Sequence, residues 1–426
     1  MLESTEIRYF FFFVFSYFLF RYLSPFGYEP DFWIRAPEYI QQEGAQRVSN
    51  LFIFNHNIPF ISQIIRNLDI QSFCNIEDVR INFKDHLIYG GNENTVLSLF
   101  QTIDHQSCTQ SLKQILLRTI LLVLLVLPFW LIFFMKETFF KLFSIFIKKI
   151  DFQNFSKNID SIILSLFFSG MMYYIGVIAY EQLALLISLS FLFFYRSIFI
   201  LIPLTLVLFI DFGNSFILAI LFLITYAFTL IFYKFKYVFY IITIILSIII
   251  SYYFSYNLLD VFKSEYLSKF MPTFFLTYIE SIHNHHFIES LKQTYPLFVR
   301  PIIFFMTFIY WTPGNIKIIL SYLFIGILFF HFFIKYNFDL VIYKQFNKTN
   351  LNKDDLFHTI FTNNLIFSVI IIVFILPMYC NAKYYIFILP FVIRVLLNYF
   401  KKEYLLLIFF ILSLINFTHL ILYRFL

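Results

Sequence analysis

Residues Phe216–Tyr256 read FILAILFLITYAFTLIFYKFKYVFYIITIILSIIISYYFSY, two apolar runs separated only by Lys-Phe-Lys-Tyr. Each run has about the 18–20 residues that an α-helix needs to cross the hydrocarbon core of a bilayer. A soluble protein can bury one such helix. Here the pattern recurs: Ile115–Met135 reads ILLRTILLVLLVLPFWLIFFM, and further runs lie near Ile159–Ala179, Ala184–Ile210, Leu365–Met378 and Leu405–Tyr423. In lipid, backbone polar groups must bond within their own segment, so runs of this kind form helices.

Composition agrees. The 426 residues are 60% hydrophobic, 23% aromatic and 13% charged, against about 25% charged in soluble domains. Too few charges exist to cover a water-facing surface. The sequence therefore predicts an all-α polytopic membrane protein with roughly 8–11 transmembrane or re-entrant helices and a mixed extramembrane N-terminal region. Pro301–Trp311, Ile319–Ile334 and Tyr385–Tyr399 complete the set. Pro301–Trp311 and Tyr385–Tyr399 are short for a span and read as re-entrant, tilted or interfacial segments.

Three regions follow. Residues 1–24 carry an anchor helix, Tyr9–Leu23. Residues 25–113 form the only extended polar stretch, with EYIQQEGAQR and NIEDVRINFKDH, and read as an extramembrane region or arm laid on partners. Residues 114–426 are the multi-helix membrane domain. Lys136–Ile150, KETFFKLFSIFIKKI, spaces lysines among aromatics as an interfacial amphipathic helix does. Lys136, Lys141, Lys148, Lys149, Lys234, Lys236, Lys401 and Lys402 fall in short connections, which favours those connections facing the compartment of insertion.

With 66 Phe and 30 Tyr but 9 Gly and 12 Pro, the chain lacks the small residues that membrane helix packing favours. AT-rich codon usage accounts for this bias, and the profile resembles mitochondrially encoded membrane subunits of AT-rich protists. The mitochondrial inner membrane is the compartment expected on that basis, with the bacterial inner membrane as the alternative. Cys74, Cys108 and Cys380 are too scattered for a disulfide framework or a zinc site. The net charge of +6 suits anionic lipid, cardiolipin included, and leaves no nucleic-acid footprint.

Glu280, His283, His285, His286 and Glu289 lie within ESIHNHHFIE. A carboxylate and an imidazole at i, i+3 share a helix face, but a di-iron site needs a second such pair and two more carboxylates from other helices. The histidines therefore read as interfacial, with no metal and no cofactor expected. Walker, GxSxG, HExxH and GxGxxG motifs are missing. The chain is expected to be at most a non-catalytic subunit, proton-translocating or structural, of a larger enzyme complex.

Charges inside apolar runs carry more information, because a central charge costs about 2.5–3.5 kcal/mol even on insertion scales. Arg196 interrupts LSFLFFYRSIFILIPL and reads as a boundary between half-spans. Asp211 reads as a loop residue and Arg300 as an interface anchor. Arg394 sits well inside ILPFVIRVLLNYF, with Asn398 one turn on, Glu403 nine residues on and Pro390 upstream. This spacing resembles the penultimate helix of the a subunit of F-type ATP synthases. The resemblance implies a proton path through Arg394, Asn398 and Glu403, with the arginine facing carboxylates of a rotating c-ring. It extends over Pro390–Glu403. Lys401 and Lys402 stand where that family has small residues, and only Tyr404–Leu426 follows, with Asn416 and His419 as its polar candidates.

The expected function is thus a multi-pass subunit of a mitochondrial oxidative-phosphorylation complex, sharpest as a divergent ATP synthase subunit a. Its partners would be other membrane subunits, a c-ring among them, and lipid. Two alternatives stand beside it: a scaffold or core-derived subunit of respiratory complex I or IV, and a bacterial polysaccharide polymerase or lipid-linked glycosyltransferase using Leu258–Phe298 as a catalytic loop. For the polar region, the mixed pattern predicts that residues 25–113 expressed alone give no cooperative, monomeric unfolding transition. A sharp two-state melt in chemical denaturant would show a free-standing domain instead.

Overall fold

The computed structural model describes residues 4–23, 112–146, 151–168, 170–172, 180–210, 212–262, 353–375 and 382–425. The described residues are mostly helical and contain no strand. Two of their helical segments, Ser215–Lys234 and Lys353–Ile375, are long and apolar enough to cross a membrane, and a third span exists if the bent pair Leu122–Phe134 and Lys136–Ser144 counts as one. The arm over 25–111, the histidines at 283–286, the segments Pro301–Trp311 and Ile319–Ile334, all three cysteines, Asp211 and Arg300 lie outside the described residues.

Two compact units form. The first contains residues 1–215 and 400–426, the second residues 216–399. The run of apolar segments over 114–426 gives no sign of that division.

In the first unit, α1 (Ser4–Leu23), α2 (Leu112–Phe134), α3 (Lys136–Phe146) and α4 (Phe152–Leu166) precede a broken stretch, and α12 (Lys402–Phe425) returns at the end. Aromatic rings pack this unit where small residues are scarce. Phe10 meets Trp130 edge-on at 5.2 Å, and Phe13, Phe133 and Phe167 close round the same indole at 5.7, 5.7 and 6.4 Å. Edge-to-face geometry sets positive ring edges against negative faces, adding about 0.5–1.5 kcal/mol per pair beyond area burial. Asp151 starts α4 by accepting a 2.6 Å bond from the Asn154 amide, which satisfies one orphan donor of the first turn.

The expected run Ala184–Ile210 is not one helix. It divides into α5 (Tyr180–Leu189), α6 (Phe191–Phe194), a 3₁₀ turn at Ile198–Ile200 and α7 (Leu201–Ile210). The cause is local. Ser197 leaves helical geometry, with φ −131° and ψ 153°, and its hydroxyl accepts from the Phe199 amide at 3.1 Å. Arg196 sits exposed at that break, its Nε donating to the Tyr195 hydroxyl at 2.9 Å. The run Ile159–Ala179 likewise leaves α4 at Leu166, with a turn at Phe167–Phe168.

The second unit is built on α8 (Phe212–Lys234, from Phe216 onward), α9 (Tyr237–Phe262), α10 (Lys353–Ile375) and α11 (Ile388–Leu396). Phe228 and Phe232 of α8, Tyr240 and Ile244 of α9, and Leu356, Ile360 and Ile371 of α10 form one buried cluster. Helix α10 starts twelve residues before the expected Leu365, absorbing the polar string KDDLFHTIFTNN. Helix α11 is only nine residues, about 14 Å at 1.5 Å per residue, under half a bilayer core of about 30 Å. Pro390 lies in its first turn, where a missing N–H breaks no helical bond.

Trp130 is fully buried, and its indole N–H has no hydrogen-bond partner among the described residues. Its role in the aromatic nest is therefore volume. Trp130→Ala is expected to cost about 3–5 kcal/mol, read as a lowered thermal midpoint in detergent, whereas Trp130→Phe should cost far less because no polar partner is lost. Equal losses in both variants would show that the indole nitrogen matters.

Candidate functional site

Helix α10 is buried on more than one side, and its polar residues divide between two faces. Asp355, His358, Thr359 and Thr362 recur at i, i+3, i+4 and i+7, the spacing that puts side chains on one helical face. Asn364 and Ser368 lie on the other side. All six are buried, between 0% and 5% exposed. Polar groups this deep cost several kcal/mol unless they are bonded.

The first face meets α11. Arg394, 2% exposed, donates from Nη2 to Asp355 Oδ1 at 2.5 Å and from Nη1 to Asn398 Oδ1 at 3.2 Å. One turn along, His358 Nε2 lies 3.1 Å from the Phe391 carbonyl, and the two rings stack at 5.8 Å and 8°. A carbonyl only accepts, so this bond requires the proton on Nε2; the Thr362 oxygen, 3.3 Å away, shares that N–H. The contacts 355–394 and 358–391 run in opposite chain directions, so α10 and α11 pack antiparallel. Thr359 returns its hydroxyl to the Asp355 carbonyl at 2.7 Å. The α11 backbone tightens after Leu396, with Asn398 N bonded to Val395 O at 3.0 Å. That turn holds the Asn398 side chain beside the guanidinium.

The second face meets α8 and α9. Tyr240 donates to Asn364 Oδ1 at 2.6 Å, Asn364 Nδ2 donates to Thr229 Oγ1 at 3.0 Å, and Thr229 donates to the Thr225 carbonyl at 2.7 Å. The Thr225 and Ser368 hydroxyls meet at 3.0 Å. Asn364 and Thr229 each give and take a bond, an arrangement in which neighbours polarise one another. It locks three helices together without a formal charge.

Of the expected site residues, the structure brings Arg394 and Asn398 together. Glu403 belongs to the first unit, where it is exposed in the opening turn of α12, a position where an acidic group favours the helix dipole. Sequence reasoning missed Asp355 and His358. The signal was present: Asp355, His358, Thr359 and Thr362 keep one helical register straight into an apolar run, with no Pro or Gly between. Among the described residues no group of three His, Cys, Asp or Glu side chains could hold a metal.

Fold and site define a helical protein with apolar helices long enough to span a membrane and a charge pair buried among them. No family model, no characterised protein and no solved structure matches the chain.

Removing one partner of a buried pair strands the other charge, at about 3–5 kcal/mol. Asp355→Asn and Arg394→Met are each expected to lower stability by that order in chemical denaturation of the solubilised chain. The double variant should recover much of the loss, since no charge is left stranded. Strict additivity of the two losses would show that the pair is not coupled.

Proposed function

We propose that this chain is a multi-pass subunit of a mitochondrial inner-membrane oxidative-phosphorylation complex, and that Arg394, Asp355 and Asn398 form the polar centre of a proton path through its second unit. The buried pair between Arg394 and Asp355 carries the reading. Ionisable groups inside membrane proteins are costly and mark ion or proton routes or their counter-ions. A planar guanidinium offers several N–H donors to a carboxylate and so competes with a proton for it. A carboxylate beside it and an imidazole one turn away are groups that can take and release one. The AT-rich residue bias supports the organelle, and the recurrence of apolar runs supports several spans.

As a divergent a subunit of ATP synthase, the chain would let Arg394 exchange Asp355 for a carboxylate of a rotor ring. Asn398 would keep the guanidinium in register during that exchange. A second reading draws on a specific observation: Arg394 is 2% exposed and its charge is met within its own chain. A closed pair of that kind suits a scaffold or core-derived subunit of complex I or IV, where the charges fix helix packing and move no proton.

Isolating the complex that contains the chain, then substituting Arg394, separates these. For the proton path, Arg394→Leu should abolish proton-coupled turnover in complexes that still assemble. Arg394→Lys should also fail, since a compact ammonium lacks the planar fork. For the scaffold, the same variants should lower the amount of assembled complex while each surviving complex keeps its turnover. Recovery of the chain from a bacterial envelope fraction with glycan-polymerising activity would overturn both.

A further inference from the structure

Among the described residues, two lysines of the first unit make contacts between helices close to the start of α1. Lys136, at the junction of α2 and α3, bonds Asp160 of α4 at 2.7 Å, lies 4.0 Å from Glu6 of α1, and sits 4.4 Å over the Phe133 ring. Lys402, at the start of α12, lies 5.9 Å over the Tyr9 ring of α1. Away from this collar aromatic rings pack the helices: Phe10 and Phe13 against Trp130, Phe12 against Phe410, Phe168 against Phe409. These pairings fix directions. The start of α1 lies beside the end of α2 and the start of α12, so α1 and α12 run parallel and α2 runs against both.

At the collar the chain turns sharply. The axes of α2 and α3 meet at 88°, so if α2 stands across the bilayer, α3 lies in its plane. One side of α3 is packed, Phe140 against Phe152 and Phe155, Phe143 against Phe155 and Phe193. Lys141 and Leu142 remain exposed side by side, a cation beside an aliphatic chain, which fits a position between phosphate and acyl layers. Lys148 and Lys149 follow in sequence, and Lys401 is exposed beside Lys402 at the start of α12. Basic residues close to helix ends collect on the side of synthesis.

We infer that α1, α2 and α12, of 20, 23 and 24 residues, cross the membrane, α2 by itself and not as one span with α3, and that this collar marks the surface facing the compartment of synthesis. There α3 lies against anionic phospholipid headgroups, with Lys141 as its headgroup contact. The polar residues 24–111, which join the far ends of α1 and α2, then enter the opposite compartment. The inference does not depend on Arg394 or on the proton path.

The test uses the full chain in native membranes, as sealed vesicles of each orientation, with Cys74, Cys108 and Cys380 replaced by serine. Single cysteines are then placed at Glu137 or Lys141, or Cys74 or Cys108 is restored alone. A membrane-impermeant maleimide should label Glu137→Cys and Lys141→Cys only from the synthesis side, and Cys74 and Cys108 only from the other. Labelling of both groups from one side overturns the topology. Protease treatment of the unsubstituted chain in the same vesicles reads the side of 24–111 without any substitution, and cleavage from the synthesis side also overturns it. For the lipid, Lys141→Glu should weaken binding of phosphatidylglycerol to the solubilised chain at least about fivefold, as one lysine near an anionic surface predicts, with phosphatidylcholine unaffected. Unchanged phosphatidylglycerol binding would remove the headgroup contact.

Discussion

A charge placed among apolar helices must be met where it stands, and the bond between Arg394 and Asp355 meets it. The guanidinium and carboxylate are 2% and 6% exposed and 2.5 Å apart, so neither can be screened by bulk water. The pair constrains everything near it. α10 and α11 must run antiparallel and in one register, because a one-residue slip would carry the carboxylate about 100° round its helix and strand both charges. Asn398 and the contact between His358 and Phe391 lie on either side of the pair and hold that register. The short α11 also becomes tolerable. Its ends cannot reach both faces of a bilayer, but irregular backbone at depth is accepted where protein covers it, and seven of its nine residues are buried.

The two faces of α10 do different physical work. Toward α11 the contact is ionic and directional. Toward α8 and α9 it is a neutral relay, from the Tyr240 hydroxyl through Asn364 to Thr229. Hydrogen bonds between membrane helices average well below 1 kcal/mol in net stability, so the relay contributes specificity more than strength. Charge on one side and neutral polarity on the other give α10 a unique rotational setting. A uniformly apolar helix would lack one.

The first unit solves a different problem. None of α1, α2, α3, α4 and α12 contains a glycine, and their contacts pass through rings. Trp130 is the centre of that packing, with Phe10, Phe13, Phe133 and Phe167 around it. The aromatic bias of the composition is thereby absorbed by geometry. Large flat side chains interlock at 5–6 Å, where a family richer in glycine would close the gap. Lys136, at the junction of α2 and α3, joins Asp160 within α4 and approaches Glu6 in the first turn of α1.

The helical class and several helix positions were legible in the sequence, because apolar run length alone fixes which segments can satisfy their backbones in lipid. Phe216–Tyr233 and Val238–Tyr256 fall inside α8 and α9 for that reason. Arg394 and Asn398 could be singled out for the same reason: a charge in an apolar run is conspicuous, and a spacing of four puts its neighbour on the same face. Run length could not reveal where a helix breaks without proline, as at Ser197, since a serine hydroxyl competes locally for the backbone. Nor could it reveal that α10 begins at Lys353, since polar residues read as loop until another helix buries them. The partner of Arg394 was beyond the sequence as well. Asp355 lies 39 residues away, and only the antiparallel packing of α10 and α11 decides which carboxylate comes within reach, because charge pairing in a folded chain follows distance in space.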